Sequence, residues 1–118
     1  MFSYRHAFHA GSHADVLKHV VLVHLLQHFA QKEKAFWYID THAGAGAYDL
    51  RGDYAKKSNE ANTGIAPLWA RSDQPQAIKT YCEEVGKFNT GMGGASGTPR
   101  FYPGSPRIAM QMLRPHDR

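Results

Sequence analysis

The feature that most constrains the fold is a short apolar run that ends in an acid and a glycine turn. Ala35-Phe36-Trp37-Tyr38-Ile39 is aromatic and β-branched and reads as a buried strand. Asp40 closes it, and Thr41-His42-Ala43-Gly44-Ala45-Gly46 follows directly. A strand that runs through an acid into Gly-x-Gly opens a nucleotide-type α/β unit. The turn continues as Gly44-x-Gly46-x-x-Asp49. A dinucleotide fingerprint needs Gly or Ala in the third place, and a phosphate loop needs Gly-Lys-Ser/Thr after it, so both fail. An acid followed by Gly-x-Gly suits S-adenosylmethionine. That ligand has no phosphate, and its methionine part needs close backbone approach and polar partners. A tight connection with no ligand is the competing reading of the same residues.

The chain around this turn gives three helices. Ser12 and Asp15 form a capping-box pattern. From Ala14 to about Gln31 the residues Val16, Leu17, Val20, Val21, Leu25 and Phe29 recur at helical spacing, and Leu22 and Val23 broaden that face, so the helix is expected to be buried. Tyr48 to Thr63 is polar and without periodicity. A second helix is expected over Pro75 to Phe88, with Ile78, Tyr81, Cys82, Val85 and Phe88 on one face. Gly91 to Pro99 is a glycine-rich loop, and Arg100-Phe101-Tyr102 reads as extended. Ser105 is the expected N-cap and Pro106 the first residue of a last helix carrying Ile108, Ala109, Met112 and Leu113. Residues 48–101 then interrupt the unit between its first strand and its own crossover helix. One strand lacks the parallel neighbours an α/β sheet needs, so 1–118 is expected to be the N-terminal part of a larger domain and to be poorly folded alone.

Composition narrows the function classes. Residues 1–50 carry four Lys/Arg and four Asp/Glu, while 51–118 carry ten against six, which accounts for the net charge of +4. A polyanionic partner fits that balance. The apolar run Val20–Val23 is far below the ~20 residues that span a bilayer. The polar, histidine-rich N-terminus has no apolar signal region, so a cytoplasmic protein is expected. A single Cys82 excludes a disulfide framework and a cysteine-cluster zinc site. Of eight histidines, seven precede residue 43. His9 and His13, and His24 and His28, are spaced i,i+4, but no His-Glu-x-x-His frame or carboxylate cluster accompanies them, so no metal is expected.

Three motifs together resemble one family. They are Tyr4-Arg5-His6-Ala7-Phe8-His9-Ala10-Gly11-Ser12-His13-Ala14-Asp15-Val16-Leu17-Lys18-His19, Asp40-Thr41-His42-Ala43-Gly44-Ala45-Gly46, and Tyr102-Pro103-Gly104-Ser105-Pro106. In order and spacing the chain from Met1 to about Leu113 resembles the bacterial ribosomal RNA large subunit methyltransferase J family. The resemblance implies a Rossmann-like, S-adenosyl-L-methionine-dependent methyltransferase of α/β class, of which this is the N-terminal part, with a small helical insertion at 48–101. It implies methylation of an adenine N6 in 23S rRNA. It also implies that His19, His42, Ser105 and the Gly44 turn meet the cofactor, and that Tyr4 and His6 lie on the RNA side.

The resemblance has a gap. The family's catalytic Asp-Pro-Pro-Tyr, whose Asp accepts from the adenine amine and whose aromatic ring stacks on the base, has no counterpart in these 118 residues. No catalytic residue is therefore assigned here, and the chain alone is expected to be inactive. A monomer is expected for a full-length parent. The alternative class is a non-catalytic basic RNA-binding module that stacks bases on Tyr4, Phe8, Tyr48, Phe101 and Tyr102. Cofactor binding separates the two classes.

Overall fold

A computed structural model describes residues 4–93 and 97–118. Part of the glycine-rich loop, 94–96, and the first three residues lie outside the described residues. In chain order the elements are a 3-10 turn His6–Phe8, α1 His13–Ala30, β1 Ala47–Asp49, α2 Asp53–Ser58, a 3-10 turn Glu60–Thr63, α3 Ile65–Trp69, α4 Gln76–Gly91, β2 Phe101–Pro103 and α5 Ser105–Met112. The result is a small mixed helix-and-strand unit.

Helix α1 starts as its residues dictate. The Ser12 hydroxyl accepts from the Asp15 N–H at 3.3 Å, which satisfies one of the free amides of the first turn. The Asp15 carboxylate reaches back one residue further than a capping box requires, to the Gly11 N–H at 3.0 Å. Gly11 sits at φ +73°, and its carbonyl accepts from the Ile65 N–H at 2.9 Å. Gly64 makes that approach possible, because a Cβ there would overlap the Gly11 carbonyl. The N-terminal tail is thereby tied to α3.

One core serves the whole unit. Val23 and Leu26 of α1, Ile65 of α3, Tyr81 and Val85 of α4, Tyr102 of β2, and Ile108 and Ala109 of α5 are buried together. The α4 and α5 faces are those the spacing predicts. The α1 face is not. Leu17, Val21, Leu25 and Phe29 are 47–69% exposed, whereas Val23 and Leu26 are covered. This helix is apolar on nearly every side, so spacing alone does not choose its inner face.

The expected strand Ala35–Ile39 is corrected. These residues belong to no sheet among the described residues. Their backbone-to-backbone bonds among the described residues run to Arg118: Arg118 N–H to Phe36 O at 3.0 Å and Tyr38 N–H to Arg118 O at 2.6 Å. That alternation about Trp37 is a parallel pattern one residue long, too short to make a ladder. Arg114 and Asp117 hold the pairing. Arg114 donates to the carbonyls of Ala30, Lys32 and Lys34, and Asp117 accepts from Phe36 N–H at 3.1 Å. The hydrogen bond from the Arg114 guanidinium holds the Asp117 carboxyl well below the usual carboxylate range.

The sheet among the described residues is β1 with β2, antiparallel, in the register Ala47–Pro103, Tyr48–Tyr102 and Asp49–Phe101. The glycine turn thus enters a strand where a plain α/β unit would enter a helix. Polar residues 48–63 also contain α2 and a 3-10 turn that periodicity does not announce.

Candidate functional site

The β1–β2 register decides the site. It lays the Pro103-Gly104-Ser105-Pro106 turn against the Gly44–Gly46 turn, and the Gly104 N–H donates to Gly46 O at 3.1 Å. Gly104 is required there, since a Cβ would overlap the Ala45 carbonyl. With α1 and the N-terminal tail, these turns enclose a cleft of about 650 Å³. Tyr4, His6, His19, His42, Gly44 and Ser105, the six residues singled out from the sequence, all line it. Arg5, Asp15, Lys18, Ala45, Tyr48 and Gly104 line it too.

Each of the six is held differently. The Tyr4 hydroxyl lies 2.6 Å from His6 Nδ1, and His6 Nε2 lies 2.8 Å from the buried Asp15 carboxylate. An ionised carboxylate only accepts, so Nε2 carries the proton and a neutral His6 accepts from Tyr4. Tyr4 is 73% exposed and stacks on His9, ring centres 5.4 Å apart. Lys18 Nζ sits 3.2 Å from the second Asp15 oxygen. His42 is exposed on the turn, its Nδ1 2.8 Å from the Thr41 hydroxyl.

Ser105 is a second correction. Gly104 is the N-cap of α5, Ser105 is its first residue, and no side chain caps this helix. The Ser105 hydroxyl donates instead to Asp40 at 2.5 Å. That bond is the main reason the Asp40 carboxyl is held below its ordinary value; the Tyr38 hydroxyl at 2.9 Å and the His42 N–H at 3.1 Å add to it. Asp40 therefore braces both turns and does not line the cleft. Burial, with the Asp40 hydrogen bond, pushes the Tyr38 phenol up to about 12.

His19 is the buried member, 6% exposed. Its Nδ1 is 2.7 Å from the Tyr102 hydroxyl. Burial pulls its pKa from 6.5 down to about 4 against the opposing pull of Asp15. A depressed histidine pKa means that the unfolded chain binds more protons between pH 4 and 6.5. Stability from this group is full above pH 6.5 and is lost as pH falls toward 4, by up to about 3 kcal/mol. Urea unfolding at pH 7 and pH 4.5 should show wild type losing about 2 kcal/mol more than His19→Gln. An equal loss in both proteins would reject a neutral buried imidazole.

Asp15, Lys18 and Tyr48 line the cleft with no local sign of it in the sequence, although the first two stand inside the N-terminal motif. As a capping acid, Asp15 already has a local role. Tyr102 also moves: it is fully buried and offers no face to a base. That weakens the stacking surface of a plain RNA-binding module. One histidine of each i,i+4 pair has a protein partner elsewhere. His9 contacts Glu60 at 2.9 Å, and His24 lies 3.2 Å from the Ala77 carbonyl. Among the described residues no group of three or more His, Cys, Asp or Glu is placed to hold a metal ion, and no helix is long and apolar enough to cross a membrane.

Comparison with known proteins identifies relatives. A family model described as ribosomal RNA large subunit methyltransferase D, RlmJ, matches residues 33–118. Ribosomal RNA large subunit methyltransferase J of Escherichia coli (strain K12) is 47% identical over 117 residues, covering 99% of this chain and 40% of the relative. The Haemophilus influenzae (strain ATCC 51907 / DSM 11121 / KW20 / Rd) protein of the same name is 46% identical over 118 residues, covering 100% of this chain and 41% of the relative. A crystal structure of a Legionella pneumophila (strain Philadelphia 1) protein of family DUF519 superposes with a TM-score of 0.79 at 36% identity, covering 92% of this chain and 38% of that one. The chain thus spans about two fifths of the length of the curated relatives it matches.

Proposed function

The chain belongs to the RlmJ family of ribosomal RNA large subunit methyltransferases, and from that premise we infer that it forms the cofactor-side part of an enzyme that methylates an adenine N6 of 23S rRNA with S-adenosyl-L-methionine. The observation that carries this reading is the convergence of Tyr4, His6, His19, His42, Gly44 and Ser105 on one cleft. Its volume lies within the ~300–1,000 Å³ usual for small-molecule sites. The parent domain is Rossmann-like, residues 48–101 are its helical insertion, and the protein works in the cytoplasm as a monomer without a metal.

The side chains suit such a cofactor. Lys18 supplies a cation and His19 a ring nitrogen for a carboxylate, and α5 opens at Ser105, where a helix N-terminus favours negative charge. A Cβ at Gly44 would lie 2.6 Å from the Tyr48 hydroxyl, so a side chain there would displace that ring. S-adenosylmethionine brings an electrophilic methyl group to that cleft. Tyr4, 73% exposed and with its hydroxyl 2.6 Å from His6, is suited to the base rather than to the cofactor.

Two substitutions in a full-length family member that carries these residues test the cofactor half. His42→Ala and Ser105→Ala should each weaken S-adenosylmethionine binding by about 1–3 kcal/mol, read by calorimetry. Unchanged affinity in both would sink the assignment. Tyr4→Ala should lower methyl transfer and leave cofactor affinity within about threefold, roughly 0.7 kcal/mol. Lost cofactor binding with normal turnover at saturation would reverse its role.

A further inference from the structure

Three polar side chains run in a line from the core to the cleft, each from a different element. Tyr81 of α4 lies 2.8 Å, hydroxyl to hydroxyl, from Tyr102 of β2, and Tyr102 lies 2.7 Å from His19 Nδ1 of α1. Both tyrosines are 0% exposed. Among the described residues, the Tyr81 hydroxyl has Tyr102 as its sole hydrogen-bond partner, and Tyr102 has Tyr81 and His19. His19 Nε2 has no protein partner there, yet it is not sealed from solvent, and the ring lines the cleft.

Counting protons orients the chain. Each phenol has one O–H to place, and a buried O–H without an acceptor is costly. If His19 Nδ1–H donated to Tyr102 and Tyr102 donated to Tyr81, the Tyr81 proton would have no acceptor. If Tyr81 donates to Tyr102 and Tyr102 to His19 Nδ1, every buried proton is used. The second order makes Nδ1 an acceptor, and a neutral ring then carries its proton on Nε2.

We propose that Tyr81 and Tyr102 are positioning residues that hold His19 as its Nε2–H tautomer, so that the cleft is offered a fixed hydrogen-bond donor for an oxygen acceptor such as a ligand carboxylate. The depressed pKa of His19 agrees, since the ring stays neutral at pH 7. Asp15 and Lys18 of the same helix, His6 of the tail and Asp40 beside the turn are the charged or titratable groups around it. Neither tyrosine lines the cleft. The tautomer claim stands on the buried chain alone; its service to a ligand rests on the cofactor-site reading above.

Two-bond proton–nitrogen correlation spectra of the 15N-histidine-labelled chain at pH 7, assigned with His19→Gln, read the tautomer directly. The expected result is Nε2–H in at least tenfold excess, falling threefold or more in Tyr81→Phe, where Tyr102 no longer receives a proton and is free to accept one. Tyr102→Phe should relax the ratio further; if that variant does not fold, Tyr81→Phe decides. A dominant Nδ1–H form, or an unchanged ratio in Tyr81→Phe, overturns the proposal. Titration with S-adenosylhomocysteine gives the second readout. Affinity should fall threefold or more in Tyr81→Phe, and unchanged affinity beside a shifted tautomer overturns the ligand role. Failure of the wild-type chain to bind counts against the cofactor-site reading, and the tautomer result still decides the relay.

Discussion

Incubated with S-adenosylmethionine and unmodified 23S rRNA, the 118-residue chain is expected to form no N6-methyladenine. Methyl transfer is an in-line attack of the adenine amine on the sulfonium methyl, and holding two reactants in that line can supply about 7–11 kcal/mol of the barrier. On the reading proposed above, the chain provides one half of that alignment. Its cleft then takes the methyl donor, but no Asp-Pro-Pro-Tyr is present in these 118 residues to accept from the amine and stack on the extruded base. The acidic side chains nearest the cleft are already committed, Asp15 to His6 and Gly11, and Asp40 to Ser105 and Tyr38. Nucleoside mass spectrometry after digestion of the RNA measures the product. Any N6-methyladenine above the no-protein control, absent in a Tyr4→Ala chain, would mean that the groups in this cleft suffice. A cofactor-binding signal without product is the pattern expected from half an alignment.

What was legible in the sequence follows the range of the interaction involved. Helix α1 starts where Ser12 and Asp15 say it does, because capping is settled within four residues. The α4 face of Tyr81, Val85 and Phe88 emerges because one side of that helix is polar. The six cleft residues were read from motifs, and geometry then brought them together through the β1–β2 register, a pairing of segments more than fifty residues apart. Local pattern fails where a partner decides. Phe36 and Tyr38 look like a strand in any window, but a strand exists only beside another, and here the bonds come from Arg118 and the Asp117 side chain. Ser105 looks like a cap because Ser before Pro usually is one; Asp40, sixty-five residues away, takes its hydroxyl. The short helices α2 and α3 are too brief to announce a period and are held by tertiary contacts. Tyr102 carries no sign in the sequence that it will be buried between Tyr81 and His19.

The 118-residue chain is also expected to self-associate through the outer face of α1. This arrangement closes a core and pairs the Phe36 N–H and C=O and the Tyr38 N–H with Asp117 and Arg118. What it leaves is a row at i, i+4, i+8 and i+12: Leu17 at 69% exposed, Val21 at 50%, Leu25 at 51% and Phe29 at 47%. Trp37 and Ile39 are exposed at 77% and 74%. Fully covering a side chain of this size contributes about 1.5–3 kcal/mol, and these start roughly half covered, so a shared face of four from each copy outweighs the weak repulsion of a net charge of +4. Sedimentation velocity over a concentration series should show species heavier than the monomer, growing with added salt as charge is screened. The double variant Leu17→Glu with Leu25→Glu should return the chain to a monomer. Substitutions at such exposed positions cost little stability, within about 0.5 kcal/mol each. Thermal unfolding should therefore stay cooperative while the heavier species disappear. A wild-type chain that remains monomeric at every concentration, or a double variant that associates just as strongly, would show that this face is not the adhesive one.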